Sequence, residues 1–172
     1  MTRTKPITVF AADEQTDEPV EPVRWAALAE SVLEAEGVKG ETEVSVLFVD
    51  EVAIAELNKR FLGGDGPTDV LAFPIDEQFV SEGGRSPDSA GPGLPAEPDD
   101  RDLPTLLGDV VICPAVAKRN APTHAGTYDD ELALLLVHGL LHLLGMDHAD
   151  PDETVTMQSR ERDLLERFHR KP

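Results

Sequence analysis

The sequence predicts an α+β fold: one small domain built on a mixed sheet of about four strands. Three observations carry that reading. Four short runs are rich in β-branched and aromatic residues or alternate with period two, as strands do. Between them lie stretches with apolar residues at helical spacing, each opened or closed by a capping residue. Strand and helix alternate twice at the start, and the later elements then follow in pairs, which a purely alternating parallel fold would not give. At 172 residues the chain fits one domain with a substantial core, here taken as residues 1–172.

Residues 6–11 (PITVFA) form the first predicted strand. Residues 22–36 place Trp25, Leu28, Val32 and Leu33 near helical spacing, with Pro22 in the first turn and Gly37 beyond the end. TEVSVLFVD sets Val44, Val46 and Phe48 on one strand face. Residues 50–61 predict a short helix capped by Asp50, with Val52, Ile54, Ala55 and Leu57 apolar. GGDGPT is a turn, and DVLAFPI (69–75) a third strand. Half of residues 81–104 are Gly, Pro or Ser, with no surviving periodicity, so this stretch reads as a disordered or mobile insertion. LLGDVVICP (106–114) is a fourth strand, continuous enough to be central, and PAVAKRNA starts a helix. Thr127 with Asp130 resembles a capping box, opening a helix to Leu144 that is apolar nearly all round. Such a helix belongs in the core. Asp150-Pro151-Asp152-Glu153 starts a last helix carrying Val155, Leu164, Leu165 and Phe168.

Charge narrows the function. With 34 acids against 15 Lys and Arg, the net charge of −19 repels polyanions at long range, which counts against a general nucleic-acid binder. The single cysteine, Cys113, excludes an internal disulfide and suits a reducing compartment. The N-terminus has no apolar run leading to a cleavage site. The most apolar stretch, 132–146, contains two histidines and falls short of the roughly 20 residues that span a bilayer. A cytoplasmic protein without a membrane partner is expected.

The chemistry is concentrated in HGLLHLLGMDH, residues 138–148. His138 and His142 lie one helical turn apart on one face, so two imidazoles can share one tetrahedral ion. Gly145 can end the helix in the left-handed conformation, and the chain can then bring His148 back to a third position. The spacing is metzincin-like. Three neutral histidines leave the fourth position of a Zn²⁺ open to water, the catalytic rather than the structural arrangement. We therefore expect one Zn²⁺ per chain on His138, His142 and His148.

These residues resemble the signature of the YbeY-type endoribonucleases, also called rRNA maturation factors. LNKRF (57–61), DGPTDVLAFP (65–74), LLGDVVICP, Glu131, and Met157 with Glu161 recur in that family's order, covering most of residues 43–165. The resemblance implies a small αβα domain with the metal at one end of the sheet. It also implies a zinc-dependent, single-strand-specific endoribonuclease of 16S rRNA 3′-end maturation and ribosome quality control. Its partners would be single-stranded rRNA, the ribosome or its small subunit, and ribosome-associated proteins, with no DNA. Three positions depart from the family's pattern. Leu62 stands where many members have Arg, Gly64 where a basic residue is common, and Ala72 where Ser is usual.

A peptidase with this histidine spacing keeps a general-base glutamate after the first histidine, and here that residue is Gly139. Zinc brings the pKa of bound water to about 7, so hydroxide is available without a carboxylate. Phosphodiester cleavage suits such a site better than peptide hydrolysis, which also needs an acid for the amine leaving group. The catalytic group is thus expected to be the zinc-bound water, with no side-chain base identified. Glu131 lies on the metal face but roughly 10.5 Å along the helix axis. It reads equally as a contact to substrate or metal surroundings and as a solvated first-turn acid. Asp147 reads as an orienting carboxylate or turn stabiliser. Asp69 reads as a turn cap, His124 as an exposed loop histidine, His169 as a surface residue and Cys113 as a buried strand residue. The clustered cations Lys59-Arg60 and Lys118-Arg119 are the candidate RNA contacts, and they read equally as solvated helix faces. The alternatives are an assembly factor with mainly structural zinc, and a zinc hydrolase of another substrate.

Overall fold

The computed structural model of the chain describes residues 7–38, 40–75, 105–146 and 150–169. The expected insertion at 81–104 lies outside them. The strands are β1 (Ile7–Asp13), β2 (Thr42–Phe48), β3 (Val70–Pro74) and β4 (Thr105–Ile112). The helices are α1 (Pro22–Ala35), α2 (Glu51–Leu57), α3 (Pro114–Asn120), α4 (Tyr128–Leu143) and α5 (Pro151–Phe168).

The strands form one mixed sheet in the order β1-β2-β4-β3. β1 runs parallel to β2 and β2 to β4, while β3 pairs antiparallel with β4. Helix α1 makes the crossover that a parallel β1-β2 pair requires. In β2 the buried positions alternate strictly: Thr42, Val44, Val46 and Phe48. β4 instead is buried without a break from Val110 through Ile112, because both of its faces are covered. Val110 and Ile112 join the main core with α1, α4 and α5, whereas Val111 packs with Ile54, Leu71, Cys113 and Val116 in a second, smaller core. The expected α+β class and four-stranded mixed sheet are what forms.

Local signals explain the helix ends. The side chains of Asp50, Thr127 and Asp150 accept the backbone N–H of Ala53, Asp130 and Glu153, respectively, and so cap α2, α4 and α5. At the other end of α4, Gly145 takes a φ of 98°, its N–H donates to the His142 carbonyl, and the Met146 N–H reaches back to Leu141. This left-handed closure stops the helix at Leu143, directly after His142.

Three expectations need correction. The segment 50–61 is not one regular helix: α2 ends at Leu57, and Asn58–Leu62 continues it as a π-helical turn. Val52 and Val155 are 77% and 64% exposed, so neither belongs to a buried helix face. The buried stripe of α5 is Met157, Glu161, Leu164 and Leu165. His169 is not a surface residue: its side chain is 8% exposed, its Nε2 lies 2.9 Å from Asp130 Oδ1, and its ring packs beside Trp25.

Candidate active site

The apolar sequence of α4 sinks this helix against β3, β4, α1 and α5, and its two histidines emerge on the one side that opens to a cleft. One turn of helix brings His138 Nε2 and His142 Nε2 to 3.1 Å. Two ligands of a single tetrahedral ion at about 2.0–2.1 Å would stand about 3.3 Å apart, so the pair fits zinc with little adjustment. His138 Nδ1 lies 2.5 Å from Oε2 of Glu161 on α5. A carboxylate can only accept there, so it holds the proton on Nδ1 and turns Nε2 toward His142. Among the described residues no three His, Cys, Asp or Glu side chains form a group able to hold a metal. His148 and Asp147, expected as third ligand and neighbouring carboxylate, lie outside the described residues.

Gly139 has a packing reason. A Cβ at this position would stand 2.7 Å from Cγ1 of Val110, because α4 lies directly on β4 there. The site a peptidase glutamate would occupy is filled by the sheet.

Two cavities, of about 330 and 370 Å³, share His138, Asp69 and Val70. The first is also lined by His124, Met157, Gln158 and Glu161. The second is lined by His142, Gly139, Leu62 and Ala72. Asp69 thus faces the cleft, where its carboxylate meets the Thr68 hydroxyl at 3.5 Å. Its backbone carbonyl accepts from Cys113 N–H. Cys113 itself is buried as expected, and burial raises its thiol pKa.

Glu131 is not the solvated first-turn acid that one reading allowed, since it is fully buried. Its oxygens lie 2.8 and 3.0 Å from His124 Nδ1, and Oε1 also accepts the Ala125 N–H at 3.0 Å. His124 is exposed as expected, yet it is not a loose loop histidine. Neither the Glu131–His124 pair nor the Glu161–His138 pair is apparent from spacing. The signals for Glu161 are its place in the family's pattern and its position as an acid on the apolar stripe Met157-Glu161-Leu164-Leu165.

The candidate RNA contacts differ in setting. Lys59 and Arg60 are exposed on the π-helical turn that leads to Leu62 at the second cavity, and the Arg60 guanidinium lies 5.7 Å from the Phe61 ring. Lys118 is 3.4 Å from Glu18, and Arg119 forms a two-pronged bridge to Glu51. At Gly64 a Cβ would run into the Asn58 side chain, which holds the Gly66 carbonyl, so a basic residue there would displace that contact.

The sequence profile of the family Endoribonuclease YbeY matches residues 10–169. This chain belongs to that family. It is 50% identical over 139 residues to the endoribonuclease YbeY of Salinispora tropica, covering 81% of this chain and 82% of that protein. It is 44% identical over 159 residues to that of Frankia casuarinae, covering 92% and 73%. The solution structure of a Thermotoga maritima protein shares the fold, with a TM-score of 0.55 at 24% identity over 96% of this chain and 94% of that one.

Proposed function

We propose that this protein is a zinc-dependent endoribonuclease that cuts single-stranded rRNA in 16S rRNA 3′-end maturation and ribosome quality control. The observation that carries the reading is the convergence of His138 and His142, with Glu161 behind His138, at the mouth of a cleft in a YbeY-family chain. His138, His142 and His148 would hold the ion. When bound, zinc supplies Lewis acidity, which offsets phosphate charge and makes hydroxide available near neutral pH.

The chain's own residues set what that acidity can act on. Glu161 fixes the His138 tautomer and ring direction. Gly139, pressed against Val110, leaves no room for a carboxylate base beside the first histidine, which disfavours peptide hydrolysis. Lys59 and Arg60 offer cations beside a cleft whose chain is otherwise strongly acidic, and an RNA path along the π-helical turn follows from them. Lys118 and Arg119 would first have to leave Glu18 and Glu51. No helix among the described residues is long and apolar enough to cross a membrane. The same reading places the protein in the cytoplasm with the small ribosomal subunit as its partner.

Mapping 16S rRNA 3′ ends in cells lacking the protein tests the biological role. Extended ends, restored by the wild-type chain but not by His138→Ala, are expected. Normal ends in the deletion would remove rRNA maturation from the account.

A further inference from the structure

Glu131 is a fully buried carboxylate on the otherwise apolar buried face of α4. Burying a carboxylate is costly unless its oxygens are satisfied. Among the described residues two groups satisfy them, the Ala125 N–H and His124 Nδ1. The consequence is a fixed imidazole. A carboxylate at Nδ1 keeps a proton on that nitrogen and sets the ring's direction, as a buried acid does for the histidine of a hydrolytic triad. The opposite nitrogen, Nε2, is then the one available to a substrate. His124 is 54% exposed and lines the same cavity of about 330 Å³ as His138 and Glu161. A histidine held from behind and open in front, lining one cavity with the metal-site histidine, has the placement of an acid–base group.

We infer that His124 is the proton donor to the leaving oxygen in phosphodiester cleavage, and that Glu131 is its positioning residue. This rests on the ribonuclease reading above. In the step, a water oxygen forms a new bond to phosphorus and releases a proton to solvent. His124 enters the step as the imidazolium, the form that a carboxylate behind the ring stabilises, with one proton on Nδ1 toward Glu131 and one on Nε2. The bond from phosphorus to the departing ribose oxygen breaks, and that oxygen keeps the electron pair and takes the Nε2 proton, leaving the neutral Nδ1–H ring. Solvent then reprotonates His124. Histidine suits the task because its ring exchanges protons near neutral pH.

The test compares wild type with His124→Ala on two substrates: a single-stranded RNA oligonucleotide, and uridine carrying a p-nitrophenyl phosphodiester on its 3′ oxygen. Nitrophenolate leaves without a proton. His124→Ala should lose about 100-fold or more in kcat on RNA, with KM and zinc content unchanged, and less than about threefold on the nitrophenyl ester. Because His124→Ala removes a partner of the buried Glu131, folding is checked by circular dichroism, and His124→Asn, whose amide can still donate to Glu131 but cannot serve as an acid, is the second variant and should show the same substrate-dependent loss. Metal-free protein gives a second reading: the His124 Nδ1–H should be visible by NMR as a slowly exchanging proton that shifts in Glu131→Gln. Equal losses on both substrates, or an unchanged kcat on RNA, would overturn the proton-donor assignment while leaving the ribonuclease reading intact. No RNA cleavage by zinc-loaded wild type would overturn that reading and this assignment with it.

Discussion

Glu161 Oε2 stands 2.5 Å from His138 Nδ1, tying the last helix to the helix that carries both histidines across 23 residues of sequence. Acids placed behind a ligating histidine raise its basicity and fix its direction, and losing them costs 10- to 100-fold in metal affinity. Glu161→Gln should therefore weaken zinc binding by about that factor in a chelator competition. Unchanged zinc affinity would reduce the contact to a helix-packing feature.

Gly139 sits where Val110 leaves no space. In an open helix Gly→Ala stabilises by up to about 1 kcal/mol. Here overpacking should reverse the sign, so that Gly139→Ala destabilises by about 1–3 kcal/mol in denaturant titration. Adding Val110→Ala should recover part of that loss, because the two residues share one contact. A stabilising Gly139→Ala would show that α4 can lift from β4 at this point.

Much of the fold and half of the candidate site were legible in the sequence, for identifiable reasons. The caps Asp50, Thr127 and Asp150 and the closing Gly145 are local signals, and each one does what its residue type suggests. The histidine pair is legible because one turn of helix fixes its spacing regardless of the rest of the chain. Glu161 and Glu131 were not, since their roles depend on partners in other elements. A first-turn acid such as Glu131 ordinarily complements the helix dipole from the surface, and only the turn carrying His124 and Ala125 draws it inside. Val155, in the second turn of α5, lies off the stripe of Met157, Glu161, Leu164 and Leu165 that meets the core, and an apolar residue type alone does not show which face it takes. The antiparallel direction of β3 is likewise set by its pairing with β4, about which period-two patterning says nothing.

Leu62 lines the cavity that holds both histidines, at the position where the family resemblance leads one to expect Arg. Leu62→Arg should tighten binding to a single-stranded oligonucleotide and steepen the log K against log salt slope by about 0.7, the value for one added phosphate contact. An unchanged slope would mean that RNA does not pass Leu62.

Tyr128 donates its hydroxyl to the Pro19 carbonyl at 2.8 Å, and its ring lies 5.5 Å from the Lys118 ammonium. Burial, with Glu18, Asp13 and Asp129 adding repulsion, holds its phenol well above the usual tyrosine range. The folded state thus resists ionisation that the unfolded chain undergoes at about pH 10. Its contribution to stability is full below that pH and fades as pH climbs through the raised folded value. Tyr128→Phe should give a flatter alkaline limb of melting temperature against pH than wild type; identical limbs would show that another group governs it.

The central claim is that His138 and His142, with His148, hold the ion that drives RNA cleavage. The most direct measurement pairs zinc content with cleavage of a single-stranded 16S-like oligonucleotide, for wild type and for His138→Ala, His142→Ala and His148→Ala, each checked for folding by circular dichroism. The account predicts about one zinc per wild-type chain, and loss of both zinc and cleavage in every folded variant. A folded variant that keeps full zinc, or that cleaves RNA at the wild-type rate without it, would contradict it.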